Sequence, residues 1–109
     1  MIKKISFLSV LFSVLSLHAT DKIECESLFK TAIENFYLEN TCKFNKHLSS
    51  KVRKNFENKN CSKLFSDKDM KDLNSEVLGA SYKKMKEVGR DKFCKNSKTN
   101  YDKQEKLAN

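Results

Sequence analysis

Four cysteines, Cys25, Cys42, Cys61 and Cys94, all lie downstream of an apolar leader, and this arrangement limits the chain more than any other feature of its 109 residues. The leader, MIKKISFLSVLFSVLSLHA, opens on basic Lys3-Lys4, continues through an apolar stretch from Ile5 to Leu17 and ends on a small residue, Ala19, the order of an export signal. Cleavage is expected after Ala19, although Leu17 stands where a small residue is preferred; an uncleaved anchor is the alternative. As a helix, Ile5 to Leu17 would rise only about 20 Å against roughly 30 Å of bilayer hydrocarbon, so no stable span is expected. Cys25 comes six residues after Ala19, whereas a bacterial lipoprotein carries its acylated cysteine directly after the cut.

Taking residues 1–19 from the 109 leaves 90, and taking Lys3 and Lys4 from the formal +8 leaves +6. A domain of this size has a thin core relative to the entropy it must offset, and exported cysteines supply the covalent staples. The separations of 17, 19 and 33 residues contain no C-x-x-C, which removes the signatures of a thioredoxin-like centre and a c-type haem site. A zinc site would want closely paired ligands. Structural disulfides are the expectation.

With no proline and only Gly79 and Gly89, the chain lacks the turn residues of an all-β fold, so helix is favoured. Three segments have the right period. From about Asp21 to Glu39, Ile23, Leu28, Phe29, Ala32, Ile33, Phe36 and Tyr37 recur at three- and four-residue steps, with Glu24 and Glu26 near the positive end of the dipole. From about Lys43 to Asn58, Phe44, Leu48, Val52 and Phe56 stand at strict four-residue intervals, one narrow apolar stripe on a basic helix. The third helix has the clearest start: Ser66 as N-cap, Asp69 three residues on, and Phe65 placed to staple against Met70. Its face runs through Met70, Leu73, Val77, Ser81, Met85 and Val88, widened by Leu78 and Tyr82, to Gly89 as a left-handed C-cap. The expected organisation is therefore a signal peptide (1–19), an all-α, up-down-up three-helix bundle stapled by two disulfides (20–94), and a polar, flexible tail (95–109).

That bundle sorts the cysteines by end. Cys25 opens the first helix and Cys61 follows the second, whereas Cys42 follows the first and Cys94 the third. A bridge needs α-carbons within about 7 Å and a helix of some sixteen residues spans roughly 24 Å, so Cys25–Cys61 with Cys42–Cys94 is the favoured pairing. If the second helix is broken, or the third folds back after Gly89, the nested pairing Cys25–Cys94 with Cys42–Cys61 becomes competitive.

Catalysis has little to build on. His47 is the one histidine after the leader, and acidic pairs such as Asp69 and Asp72 sit where capping and dipole effects already account for them. No Gly-rich phosphate loop, G-x-S-x-G turn or metal-ligand cluster is present in the sequence, and no cofactor is implied. Charge is the functional lead: residues 43–63 carry seven bases against Glu57, namely Lys43, Lys46, Lys51, Arg53, Lys54, Lys59 and Lys63. Such a face suits an anionic partner, an acidic protein or an envelope component, or else is a solvated helix surface. The preponderance of lysine over arginine and the absence of tryptophan argue against nucleic acid as partner.

The mature size, helical content and lysine-rich end resemble small periplasmic acid-stress chaperones of the HdeA type, which are built around a single disulfide where this chain has four cysteines. That resemblance implies acid activation: neutralising fourteen carboxylates would leave twenty bases after the leader unopposed and open the bundle by self-repulsion. The run Phe36-Tyr37-Leu38-Glu39-Asn40, with Lys59-Asn60-Cys61, resembles small exclusion proteins of conjugative systems, usually lipoproteins, whose lipidation cysteine is missing here. The leading expectation is a periplasmic or secreted, non-enzymatic binding protein that presents the basic face of its second helix.

Overall fold

In the computed structural model the backbone is described from residue 2 to 108 and the side chains from 21 to 106. The expected leader, residues 1–19, lies outside the described side chains. α1 (Ile2–Cys42) is the central helix: it packs against α2 (Leu48–Asn58), α3 (Asp67–Val88) and α4 (Arg90–Lys103). Its sequence allows this because apolar residues occur on more than one side, with Leu28, Ile33 and Leu38 all buried. A single-faced amphipathic helix has one such stripe; a central helix needs several.

The core is two clusters, one near each end of the bundle. Cys25, Leu28, Val52, Phe56 and Cys61 form the first, with Phe29, Phe65 and Met70 packed on it. Leu38, Leu48, Phe93 and Tyr101 form the second, joined by Tyr37, Phe44 and Met85. Since α3 meets the first cluster through Met70 and the second through Met85, it runs parallel to α1, and α2 runs antiparallel. The two disulfides, Cys25–Cys61 and Cys42–Cys94, each have α-carbons 5.4 Å apart and close one end each. This is the pairing that the distance argument favours.

Three differences from the sequence-based expectation have clear causes. The second helix begins at Leu48 rather than Lys43, because Lys43 and His47 take positive φ angles of 62° and 57° and turn the chain. Phe44 therefore reaches the core from a loop, its ring 4.9 Å from that of Tyr101. Second, the expected polar tail is helical: α4 extends to Lys103, and a short α5 (Glu105–Ala108) packs on α2. Phe93 and Tyr101, eight residues apart on one face, are buried and hold α4 down. The bundle is thus up-down-up-down with four main helices. Third, Tyr82 and Val88, expected on the inner face of α3, are exposed.

The start of α3 follows the sequence closely. The Asp69 amide donates to Ser66 Oγ at 3.1 Å and the Ser66 amide to Asp69 Oδ2 at 3.4 Å, a reciprocal capping box, while Phe65 and Met70 pack on the same cluster. At the other end Gly89 adopts φ 88° and ψ 151°, a region essentially reserved for glycine, and its carbonyl accepts from Phe93 to start α4. The chain does turn at Gly89, yet Cys94 stays within the first turns of α4 and so keeps its place beside Cys42.

Gly79 lies within α3 with nothing within 4 Å of where a Cβ would stand, so close packing does not explain it. Gly79→Ala is expected to stabilise the protein by about 0.5–1 kcal/mol through helix propensity, read as a raised denaturant midpoint with unchanged slope.

Candidate binding groove and basic surface

Because α2 and α3 both pack on α1, a groove of about 690 Å³ runs between them with α1 as its floor. Phe29, Ala32, Ile33 and Phe36 supply that floor, and their spacing of three, one and three residues places them on one side of the helix. Phe56 from α2 and Met70 from α3 form apolar walls, while Arg53, Glu57 and Asn74 mark the rim. The Phe29 and Phe56 rings lie 5.5 Å apart, and Phe65 continues the aromatic row at 6.4 Å from Phe56. Phe36 is the open point of this surface, 57% exposed. A volume in this range and a largely apolar lining with a few polar groups at the edge are typical of binding clefts.

The seven basic residues singled out in the sequence do not form one face. Lys46 pairs with Asp102 of α4 at 3.2 Å, and Lys59 pairs with Glu24 of α1. Arg53 sits on the groove rim with Glu57 at 3.6 Å. Lys43, Lys51, Lys54 and Lys63 are exposed and have no ion pair among the described residues. Lys43 stands at the Cys42–Cys94 end together with Lys95, and Arg90 is tied there through a 3.0 Å hydrogen bond from its Nε to the Thr41 carbonyl. Residues 83–98 hold seven bases against Glu87 and Asp91, so this end of the bundle is also basic.

Electrostatic support for α2 comes from a residue not singled out as a site in the sequence. His47 provides no side-chain cap, but Glu39 of α1 accepts from the Ser49 amide at 3.2 Å and from the Ser49 hydroxyl. The carboxylate thus does from another helix what an N-cap does locally, and it puts negative charge at the positive end of α2. Tyr101 of α4 donates its hydroxyl to Glu39 Oε2 at 2.6 Å, so one carboxylate ties three helices. Asp102, one residue on, is held below the ordinary carboxylate range by its hydrogen bond from Lys46, with Lys98 adding to the effect.

Among the described residues no group of histidine, cysteine and acidic side chains is placed to hold a metal ion, and His47 is exposed. No protein-family model, curated protein or solved structure matches the chain.

Burial, and then the hydrogen bond to Glu39, push the Tyr101 phenol up to about 12, against opposing contacts from the Leu48 and Lys46 backbone. A folded-state value above the unfolded one favours the protonated fold. The stabilisation is therefore intact below about pH 10 and is lost as pH rises towards 12. Tyrosinate absorbance is expected to show a component titrating near 12 that disappears in Tyr101→Phe, and Glu39→Gln should bring it to lower pH. A single transition at the ordinary tyrosine value in the wild type would contradict this assignment.

Proposed function

We propose that the protein is an exported, non-enzymatic binding module whose α2–α3 groove receives an apolar segment of an acidic protein partner. The observation that carries this reading is the groove itself, with Phe36 open to solvent on its floor and Arg53 on its rim. An exposed aromatic floor between two helices supplies affinity, and the unpaired Lys51 and Lys54 of the adjoining α2 add attraction for an acidic partner. Two disulfides in a small chain fit an oxidising compartment, the periplasm or the outside of the cell. Among the described residues no helix is long and apolar enough to cross a membrane.

A photo-crosslinking amino acid at position 36 is expected to trap one predominant protein in intact cells, and the same probe at exposed Glu105 is not. Against that protein once purified, Phe36→Asp should weaken binding at least about tenfold, the scale of an interface hot spot, without changing the thermal midpoint. Arg53→Glu with Lys54→Glu should chiefly slow association and remove its salt dependence. Binding unchanged by either variant would overturn the reading.

An acid-activated chaperone is the second reading, favoured by the carboxylates that join different elements: Glu24 to Lys59, Asp102 to Lys46, and Glu39 to Ser49 and Tyr101. The contribution of Asp102, whose folded pKa is depressed, is present above the usual carboxylate range and is lost as pH falls below that range and through the depressed folded value. Suppression of client aggregation at about pH 3 and not at neutrality is the expected result, and equal inactivity at both would remove this reading.

A further inference from the structure

The two disulfides sit in different surroundings. Cys25 and Cys61 are 4% and 0% exposed and belong to the first core cluster, between Leu28, Val52 and Phe56. Cys42 and Cys94 are only half-buried, at the edge of the second cluster. Thiol–disulfide exchange requires an attacking thiolate to reach a sulfur in line with the S–S bond, so access separates a structural bridge from a reactive one. The half-buried pair is also flanked by cations: Lys43 and Lys95 directly follow its two cysteines, both exposed, and Arg90 is fixed to the Thr41 carbonyl next to Cys42. Positive charge of this kind draws in an anionic thiolate and stabilises the one that leaves.

A reactive bridge must also open without unfolding the protein. On this point the two bonds differ again. Cys25–Cys61 is itself part of the first core. Across Cys42–Cys94, α1 and α4 keep other ties, the Tyr101 hydroxyl to Glu39 and the Phe93 ring 6.0 Å from Tyr37, and Lys46 of the loop after α1 pairs with Asp102 of α4. These contacts between α4 and the rest of the bundle do not run through the S–S bond.

We propose that Cys42–Cys94 is a thiol–disulfide exchange site acted on by a dithiol reductant, while Cys25–Cys61 is a structural bond that does not exchange in the folded protein. The inference is independent of the groove reading. One thiolate of the reductant attacks Cys42 Sγ, the Cys42–Cys94 bond breaks, and Cys94 leaves as thiolate. Cys94 is the better leaving group because Cys42 is the last residue of α1, where the negative end of the helix disfavours a thiolate, whereas Cys94 lies in the first half of α4, away from any such end. The second thiol of the reductant then attacks its own sulfur in the mixed disulfide, which forms the reductant's internal disulfide and frees Cys42. Two electrons pass from the reductant to the protein, and two protons accompany them to give two protein thiols.

Dithiothreitol is the probe, added to the oxidised, folded protein and quenched at intervals with an alkylating agent before peptide mass mapping. Cys42 and Cys94 are expected to label at least about tenfold faster than Cys25 and Cys61, which wait for local unfolding. Far-ultraviolet circular dichroism should keep its helical signal through the first phase. Lys43→Glu with Lys95→Glu should slow that phase severalfold at low salt and leave the second unchanged. Simultaneous labelling of all four cysteines, earlier labelling of Cys25 and Cys61, or loss of helix together with the first phase would each overturn the proposal.

Discussion

α1 is fastened at two points about 25 Å apart, Cys25 and Cys42, to two different parts of the chain that follows it. Every other placement depends on that. The bridge to Cys61, in the turn after α2, limits where α2 ends, and the bridge to Cys94 limits where α4 begins; α3 carries no cysteine and lies between the two bridged segments in the chain. In the chain-entropy picture, bonds closing 36 and 52 residues each stabilise by about 4 kcal/mol, a large fraction of what a small domain possesses. Each bridge also lies in or beside one of the two apolar clusters, so covalent and hydrophobic restraints act at the same ends. Between the clusters, on the same stretch of α1, Asn35 is 1% exposed and its amide nitrogen has no hydrogen-bond partner among the described residues. Leaving such a donor unpaired costs on the order of 1–3 kcal/mol, which marks this level as the weak point of a core whose strength is at its ends.

Glu39 works within that frame. α2 is only 11 residues long and begins on a left-handed His47 that caps nothing, so by itself it would be a marginal helix. The Glu39 carboxylate supplies the missing acceptor from the helix opposite, and the same group takes the Tyr101 proton donor from α4. A protonated phenol beside a carboxylate is stable here because burial disfavours a second negative charge next to the first. The length of α2, the position of its first turn and the docking of α4 are thereby coupled through one side chain.

What was legible in the sequence was legible for local reasons. Ser66 and Asp69 announce the start of α3 because a capping box is a contact between residues three apart, and Leu48, Val52 and Phe56, at four-residue intervals, are buried as their spacing implies. The cysteine pairing followed from helix lengths, which are also local. Residues 95–103 read as a polar tail because the buried face of α4 is carried by Phe93 and Tyr101 alone, with Ser97 at the intervening position and lysines and asparagines around it. Two aromatics eight residues apart are a signal only when a partner surface is known to exist. The role of Glu39 had no sequence mark at all, since its partners lie 10 and 62 residues away. Lys46 and Lys59, which flank α2, read as part of a free basic face and are instead engaged with acids on α4 and α1.

The groove, finally, is a consequence of giving one helix three neighbours. α2 ends at Asn58 and the chain reverses through the 3₁₀ turn Cys61–Leu64, so α2 and α3 leave that turn on different sides of α1. α5 packs on α2, and Tyr101 of α4 meets Leu48 in the second cluster, whereas among the described residues no further element covers the groove side. That side is where α1 carries Phe29, Ile33 and Phe36 in place of the polar residues a solvated helix face would hold. With Phe36 57% exposed, the isolated protein forgoes only part of the roughly 1.5–3 kcal/mol that full burial of such a side chain brings. On the binding reading proposed above, an apolar segment of a partner would cover this ring on the floor of the open cleft, with Arg53 on the lip.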